Sequence, residues 1–377
     1  MSILRKLFSK SVAKKELIRG EEYFIATQWQ LMWRKFRRHK LALTGGFVLI
    51  VFYLFCFLAE FIAPSTPWAR NRELVYAPPQ RVRIFHEGKI HRPFVYGYEK
   101  SIDMLTTQRI YTPDHDKMRS IRFFVRGEPY KFWGMFNTTL HLFGTEEEAI
   151  LLLGSDSFGR DMFTRNLYAS RVSLSVGLVG VMLSFFLGIV LGGISGYYGG
   201  ALDVAIQRII EFLISLPTIP VWMALAAALP PDWSSIKIYF GVTIILSIVG
   251  WTGLARVVRG KLLELREADF VMAARLAGTR ESRIIAGHLL PSFLSYLIVH
   301  LTLAIPGMIL GETALSFLKL GIRPPAVSWG TLLQDAQNVE TVLLYPWLMI
   351  PALYVVLAVL MFNFLGDGLR DAADPYK

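Results

Sequence analysis

The sequence predicts an all-α polytopic membrane protein of six transmembrane helices, with a small extracytoplasmic α+β insertion between the first and the second. Three observations carry that prediction. Hydrophobic residues fill 53% of 377 positions and mean hydropathy is +0.42, too apolar for a soluble domain of this length. Six apolar runs are long enough to cross a bilayer, and prolines or basic residues close them. The net charge of +11 suits cytoplasmic loops beside anionic headgroups, and no nucleic-acid-binding motif accompanies it.

Residues 1–40 form a basic segment in which charges from Arg5 to Lys40 outnumber Glu16, Glu21 and Glu22, which predicts a cytoplasmic amino terminus. Within it, Ile25 to Phe36 interleaves Trp29, Trp33 and Phe36 with basic residues. Both a helix along the inner headgroups and a plain tail fit that pattern. The first apolar run starts only near Leu41 and no small-residue cleavage site follows, so it stays as an anchor rather than leaving as a signal peptide. Residues 41–63 make the first span, about 34 Å as a helix, with Glu60 near its outer end and Pro64 closing it. The single cysteine, Cys56, lies inside this span and leaves no intrachain disulfide.

Residues 64–168 contain no membrane-length run and form the outer domain. Alternation in Arg81–His86 around Glu87-Gly88, and in Ile121–Arg126 and Tyr130–Trp133 around Gly127–Pro129, predicts two β-hairpins. His86, His91, His115 and His141 lack metal-ligand spacing and read as surface histidines. Phe123, Phe124, Tyr130, Phe132 and Trp133 fit either the core of this domain or a contact surface, the core being the commoner use.

Residues 169–377 hold the other five spans. Val172 to Tyr197 is rich in glycine for close helix packing, and Ala201 to Leu229 should kink at Pro217 and Pro220. Arg208 and Glu211, three apart, should pair. Ile236 to Val257 returns to a basic cytoplasmic loop, 257–290. Pro291 to Leu315 carries His300 near mid-membrane, which either faces a watery path or bonds a neighbouring helix, and Pro306 is able to bend it. Val342 to Leu365, kinked at Pro351, completes six spans and leaves both ends inside.

Inside the 257–290 loop, Leu263, Phe270, Ala273, Ala274 and Ala277 fall at helical spacing while Glu267, Asp269 and Arg275 point elsewhere. Gly278 suits the end of such a helix. Its alanine-rich face fits a groove on another protein better than lipid; a solvated loop helix is the plainer alternative.

Four motifs then resemble one family. Ala273-Ala274, three residues, Gly278, nine residues and a closing Leu290-Pro291 is similar to the Glu-Ala-Ala loop of ABC importer permeases, with Met272 where that loop has Glu. Leu153-Gly154-Ser155-Asp156, then Gly159-Arg160-Asp161, resembles the loop before the second span in C-type permeases of dipeptide, oligopeptide and nickel importers. Gly311-Glu312 to Gly321, and Gly366 to Pro375, resemble two further loops of that branch.

The resemblance implies a type I ABC importer permease fold in a bacterial or archaeal inner membrane. It implies a second, non-identical permease, two cytoplasmic ATPases and an external substrate-binding protein as partners. ATP and Mg would sit on the ATPases and no cofactor on this chain, which has no Walker A pattern and no nucleophile-base constellation. It further implies ATPase coupling through Glu267, Asp269, Met272, Ala273, Ala274, Gly278 and Pro291. His300, Pro306 and Glu312 are candidates for the translocation path. The rival reading is a secondary transporter driven by an ion gradient, which would want paired intramembrane carboxylates in matching halves.

Overall fold

The computed structural model describes residues 28–86, 88–104, 109–145 and 150–373. The basic segment 1–27, Glu87 of the first hairpin turn and the tail 374–377, with Pro375, lie outside the described residues.

Helix α1 (Gln28–Phe36) is amphipathic: Met32 and Phe36 pack on Ala42 and Ala372, whereas Trp29 and Trp33 face outward. Helix α2 (Lys40–Phe57) starts where His39 Nδ1 accepts from the Ala42 N–H at 3.1 Å. The helical run does not continue unbroken to Ala63. It breaks at Leu58 and resumes as a single turn, Ala59–Ile62. The break accompanies a buried charge: Glu60 takes two 2.6 Å hydrogen bonds from Arg171, a partner that no local spacing announces.

Five strands follow: β1 (Arg83–His86), β2 (Lys89–Ile102), β3 (Arg109–Ser120), β4 (Arg122–Phe132) and β5 (Phe136–Gly144). The first three make an antiparallel sheet in sequence order and the last two a separate hairpin. Gly127–Pro129 is not the hairpin turn expected of it. Both flanking segments belong to β4, the register slips between Arg126 and Tyr130, and the turn lies at Trp133–Met135. Proline and glycine there form a bulge, which their lack of a donor or a side chain suits equally well.

Helix α3 (Met162–Tyr198) is longer than the apolar run that announced it, because Asp161 caps it well outside the membrane-length stretch. Helices α4 (Gly200–Ser215) and α5 (Thr218–Ala227) meet at 90° around Leu216-Pro217, the kink expected from the prolines. Arg208 and Glu211 pair at 2.9 Å. Helix α6 (Ser235–Leu265) extends beyond Val257, and α7 (Asp269–Leu276) is the loop helix. Helix α8 (Leu294–Phe317) continues through Pro306.

Val339–Leu344 is a separate short helix, and α9 (Ile350–Ala373) follows a 3-10 turn, Pro346–Met349. Pro351 therefore sits in a first turn, where a missing N–H costs nothing, and not at a kink. Among the described residues five helices can each cross a membrane, and the bent pair α4–α5 would make a sixth.

Glycines bring α3 against its neighbours. A Cβ at Gly192 would lie 2.5 Å from the Ala255 carbonyl oxygen, and at Gly177 2.7 Å from the Ile309 side chain. The bundle core forms around that crossing from Leu174 and Val181 of α3, Leu246 of α6, Ile309 of α8 and Val355 of α9.

Candidate functional site

The inner end of α6 stops at Arg266. Ala268 then takes an extended conformation (φ −69°, ψ 148°), and α7 begins without a side-chain cap, with Asp269 in its first turn. A carboxylate there faces the positive end of the helix dipole. At the other end Gly278 adopts φ 74°, while the N–H groups of Gly278 and Thr279 donate to the carbonyls of Arg275 (2.9 Å) and Ala274 (3.1 Å). These two bonds make a Schellman closure, which ends the helix at the glycine.

Of the face of α7 drawn by alanine spacing, Phe270, Ala273 and Ala277 lie outward, whereas Ala274 turns toward the bundle. Leu263 belongs to α6 and shares no face with α7. Val271 is fully buried among Leu262, Ile284, Leu289 and Phe293, and Ala274 packs beside it. Arg275 lays its guanidinium 5.3 Å over the ring of Tyr197, at the inner end of α3. Three elements thus hold one side of an eight-residue helix. Phe270, Met272, Ala273 and Ala277 face outward, and Leu276 is 89% exposed. Val271 was the missed anchor; it stands three residues before Ala274, the spacing of a shared face.

Glu267 is exposed, with the Arg266 guanidinium 3.6 Å away, and Asp269 is exposed too. The basic end of the fourth apolar run at Arg256 and the proline that opens the fifth, Pro291, are where the sequence would tie this helix to the spans. The structure leaves both exposed and makes the tie through Val258 and Leu262 of α6 and through Ile284 and Leu289. Apolar residues serve there because the α6 helix overruns the apolar stretch by two turns.

Nothing in local spacing foretold the ion pair beneath this mount. Arg259 grips Asp203 through two bonds of 2.5 and 2.6 Å, and the Ser195 hydroxyl donates to the same carboxylate at 2.5 Å. The inner ends of α3, α4 and α6 are joined by it. Gly196 allows the approach, since a Cβ there would lie 2.7 Å from the Arg259 carbonyl. The only signal available was the Gly188, Gly192, Gly196 spacing.

On the far side, Gly154, Asp156, Gly159, Arg160 and Asp161 build a brace. One Asp156 oxygen accepts the N–H groups of Phe158 (2.8 Å) and Arg160 (3.0 Å), and the other the Arg160 Nε (2.7 Å) and the Arg165 guanidinium. Asp161 caps α3 by accepting from Phe163 and Thr164; burial nevertheless pushes its carboxyl up to about 6. Gly154 (φ 77°) lies against Trp347, whose indole donates to the Ser155 carbonyl at 3.0 Å. Ser157 reaches Asp335 at 2.9 Å, so the loop bridges the outer ends of the bundle. Beside it Arg70, Phe158, Arg160 and Asp335 line a cavity of about 500 Å³.

Of the path candidates, His300 is half-buried and stacks on Tyr296 at 6.3 Å, and Pro306 is buried within α8. Glu312 is fully enclosed. It accepts from Ser173 of α3 (2.8 Å) and Ser316 (2.6 Å), and Ser173 in turn receives the Trp329 N–H. That arrangement fastens helices together. Among the described residues no group of three or more His, Cys, Asp or Glu is placed to hold a metal ion.

Comparison with known proteins matches residues 188–376 to the family model "binding-protein-dependent transport system inner membrane component". Residues 27–79 match "N-terminal TM domain of oligopeptide transport permease C". The chain is 40% identical over 224 residues to the dipeptide transport system permease protein DppC of Bacillus subtilis, covering 59% of this chain and 68% of that one. To the protein of the same name from Lactococcus lactis subsp. cremoris it is 32% identical over 355 residues, covering 92% and 90%. The oligopeptide transport system permease protein OppC of Haemophilus influenzae shares 40% over 230 residues, covering 60% and 71%. A solved inward-facing structure of the MetNI methionine ABC transporter is 17% identical with a TM-score of 0.43, covering 56% and 97%.

Proposed function

The chain belongs to the family of binding-protein-dependent transport system inner membrane components, permease subunits of ABC importers, and from that premise we propose that α7 is where its ATPase pushes. It is a multi-pass transport subunit and not an enzyme. That membership also decides against an ion-gradient-driven transporter.

The observation that carries the proposal is the division of α7 into two faces. Val271 seats it in the inner end of the bundle, while Phe270, Met272, Ala273 and Leu276 present an apolar strip to solvent. A buried seat transmits force and an exposed apolar strip fits a groove. Glu267 and Asp269 add charge at its leading end, Gly278 stops it, and Pro291 begins the return into α8. Met272, standing where the family's loop has Glu, makes the contact one of shape more than of charge.

In this reading two ATPases hold ATP and Mg on the cytoplasmic side, and their closure moves α7. Differential contact with α7 in the two ATPase states shifts the spans between inward-open and outward-open. A second, unlike permease completes the pore, and an external binding protein delivers the solute, of which peptides are the class its relatives' names give. Both ends of the chain then lie in the cytoplasm, and residues 64–168 face outward.

Leu276→Glu tests this. The side chain touches little, so stability should stay within about 0.5 kcal/mol. ATPase recovered with the permease in detergent should fall at least about tenfold, since a charge enters an apolar contact. Undiminished recovery with normal uptake would remove α7 from the coupling.

A further inference from the structure

The β4–β5 hairpin carries an apolar tip whose position is fixed against the first span. His141 of β5 bonds the Ala63 carbonyl at 2.5 Å, where the first apolar run ends before Pro64. Farther along, Phe61 lies 6.3 Å from Phe124, and at the turn the Trp133 indole donates to the Phe57 carbonyl at 3.0 Å. The hairpin therefore runs down beside the helix, from residue 63 to residue 57, about 9 Å toward the membrane centre.

The tip is apolar and uncovered. Met135 is 72% and Phe136 66% exposed, and Trp133 is exposed as well. Arg171, held by Glu60, sits 4.5 Å over the Trp133 ring. An indole bonded to backbone and stacked under a cation, with the exposed Phe136 ring three residues on, is the chemistry of the membrane interface. Lys131 and Arg126 stand on β4 above it, and both are exposed.

Helix α2 beside the tip turns Leu54, Phe55 and Phe57 outward, so the apolar surface of the tip continues the apolar surface of a span. Measured from Lys40, Phe57 is about 26 Å along the helix, inside a hydrocarbon thickness of about 30 Å. We propose that the Trp133–Phe136 turn dips into the outer leaflet of the bilayer, making the hairpin a lipid-anchored outrigger of the outer domain.

Met135→Cys labelled with bimane tests it in the full chain, reconstituted in nanodiscs with acyl-brominated lipid. Cys56 is buried, and the unlabelled parent serves as control. Met104→Cys, at a position 92% exposed just beyond the end of β2, gives the aqueous reference. The expected result is blue-shifted emission, quenching by bromolipid and at least about fivefold weaker quenching by iodide than at residue 104. Iodide quenching equal to the reference overturns the proposal. Shielding from both quenchers, in the chain alone or in the assembled importer, overturns it too, since protein would then cover the turn.

Discussion

The outer brace around Asp156 and the inner mount of α7 both hold ends of the same helices, by opposite means. At the brace, a buried carboxylate answers two guanidinium groups and two backbone N–H groups, and Asp161 closes α3. At the mount, one side of an eight-residue helix rests on apolar side chains, with the Asp203–Arg259 pair set deeper. Directional bonds fix a geometry at full strength or not at all. Apolar contact tolerates small slides at little cost. The brace therefore defines the frame, and the mount leaves α7 room to shift on its seat.

The sharpest way to break this contrast is Asp156→Ala. It leaves buried Arg165 without its counter-charge and should cost about 3–5 kcal/mol, read as a lower melting temperature in detergent and a reduced folded yield. A mild effect would mean that the brace is ornamental. Next comes Gly192→Leu, which forces α3 from Ala255 and should cost about 1–3 kcal/mol or more in the same measurement. Gly193→Ala, where the nearest atom is 3.9 Å away, is the matched control and should be silent.

Val271→Ala should lose about 2 kcal/mol. Its effect should be local: faster amide exchange in residues 269–276 and lower uptake, with the brace region unchanged. Were exchange to rise equally around residues 154–165, the two regions would be one cooperative unit and the contrast would fail.

The span count, the 90° break at Pro217 and the Gly278 terminus were legible in sequence because apolar length, proline and glycine act through nearby backbone. Asp203–Arg259 and Glu60–Arg171 were not, since each joins residues far apart that meet only when helices pack. Alanine spacing picked out Phe270, Ala273 and Ala277, which are exposed, but left the seat undrawn, because small residues suit both a buried seat and an open groove; the larger Val271 decides which side is seated. For Phe123, Phe124 and Trp133 the sequence left core and contact surface open, with core the commoner use, for a similar reason. Aromatic content marks burial, and it does not distinguish the interior of a domain from a surface where membrane meets water.

Helix α3 has one more consequence. It runs for 37 residues, about 55 Å, from its cap at Asp161 to Tyr197 beneath Arg275. A single α-helix barely compresses along its axis. A displacement along the axis at the Tyr197 end is carried to the Asp161 end, so the two ends of the bundle share one stiff spine and neither can shift along it without the other.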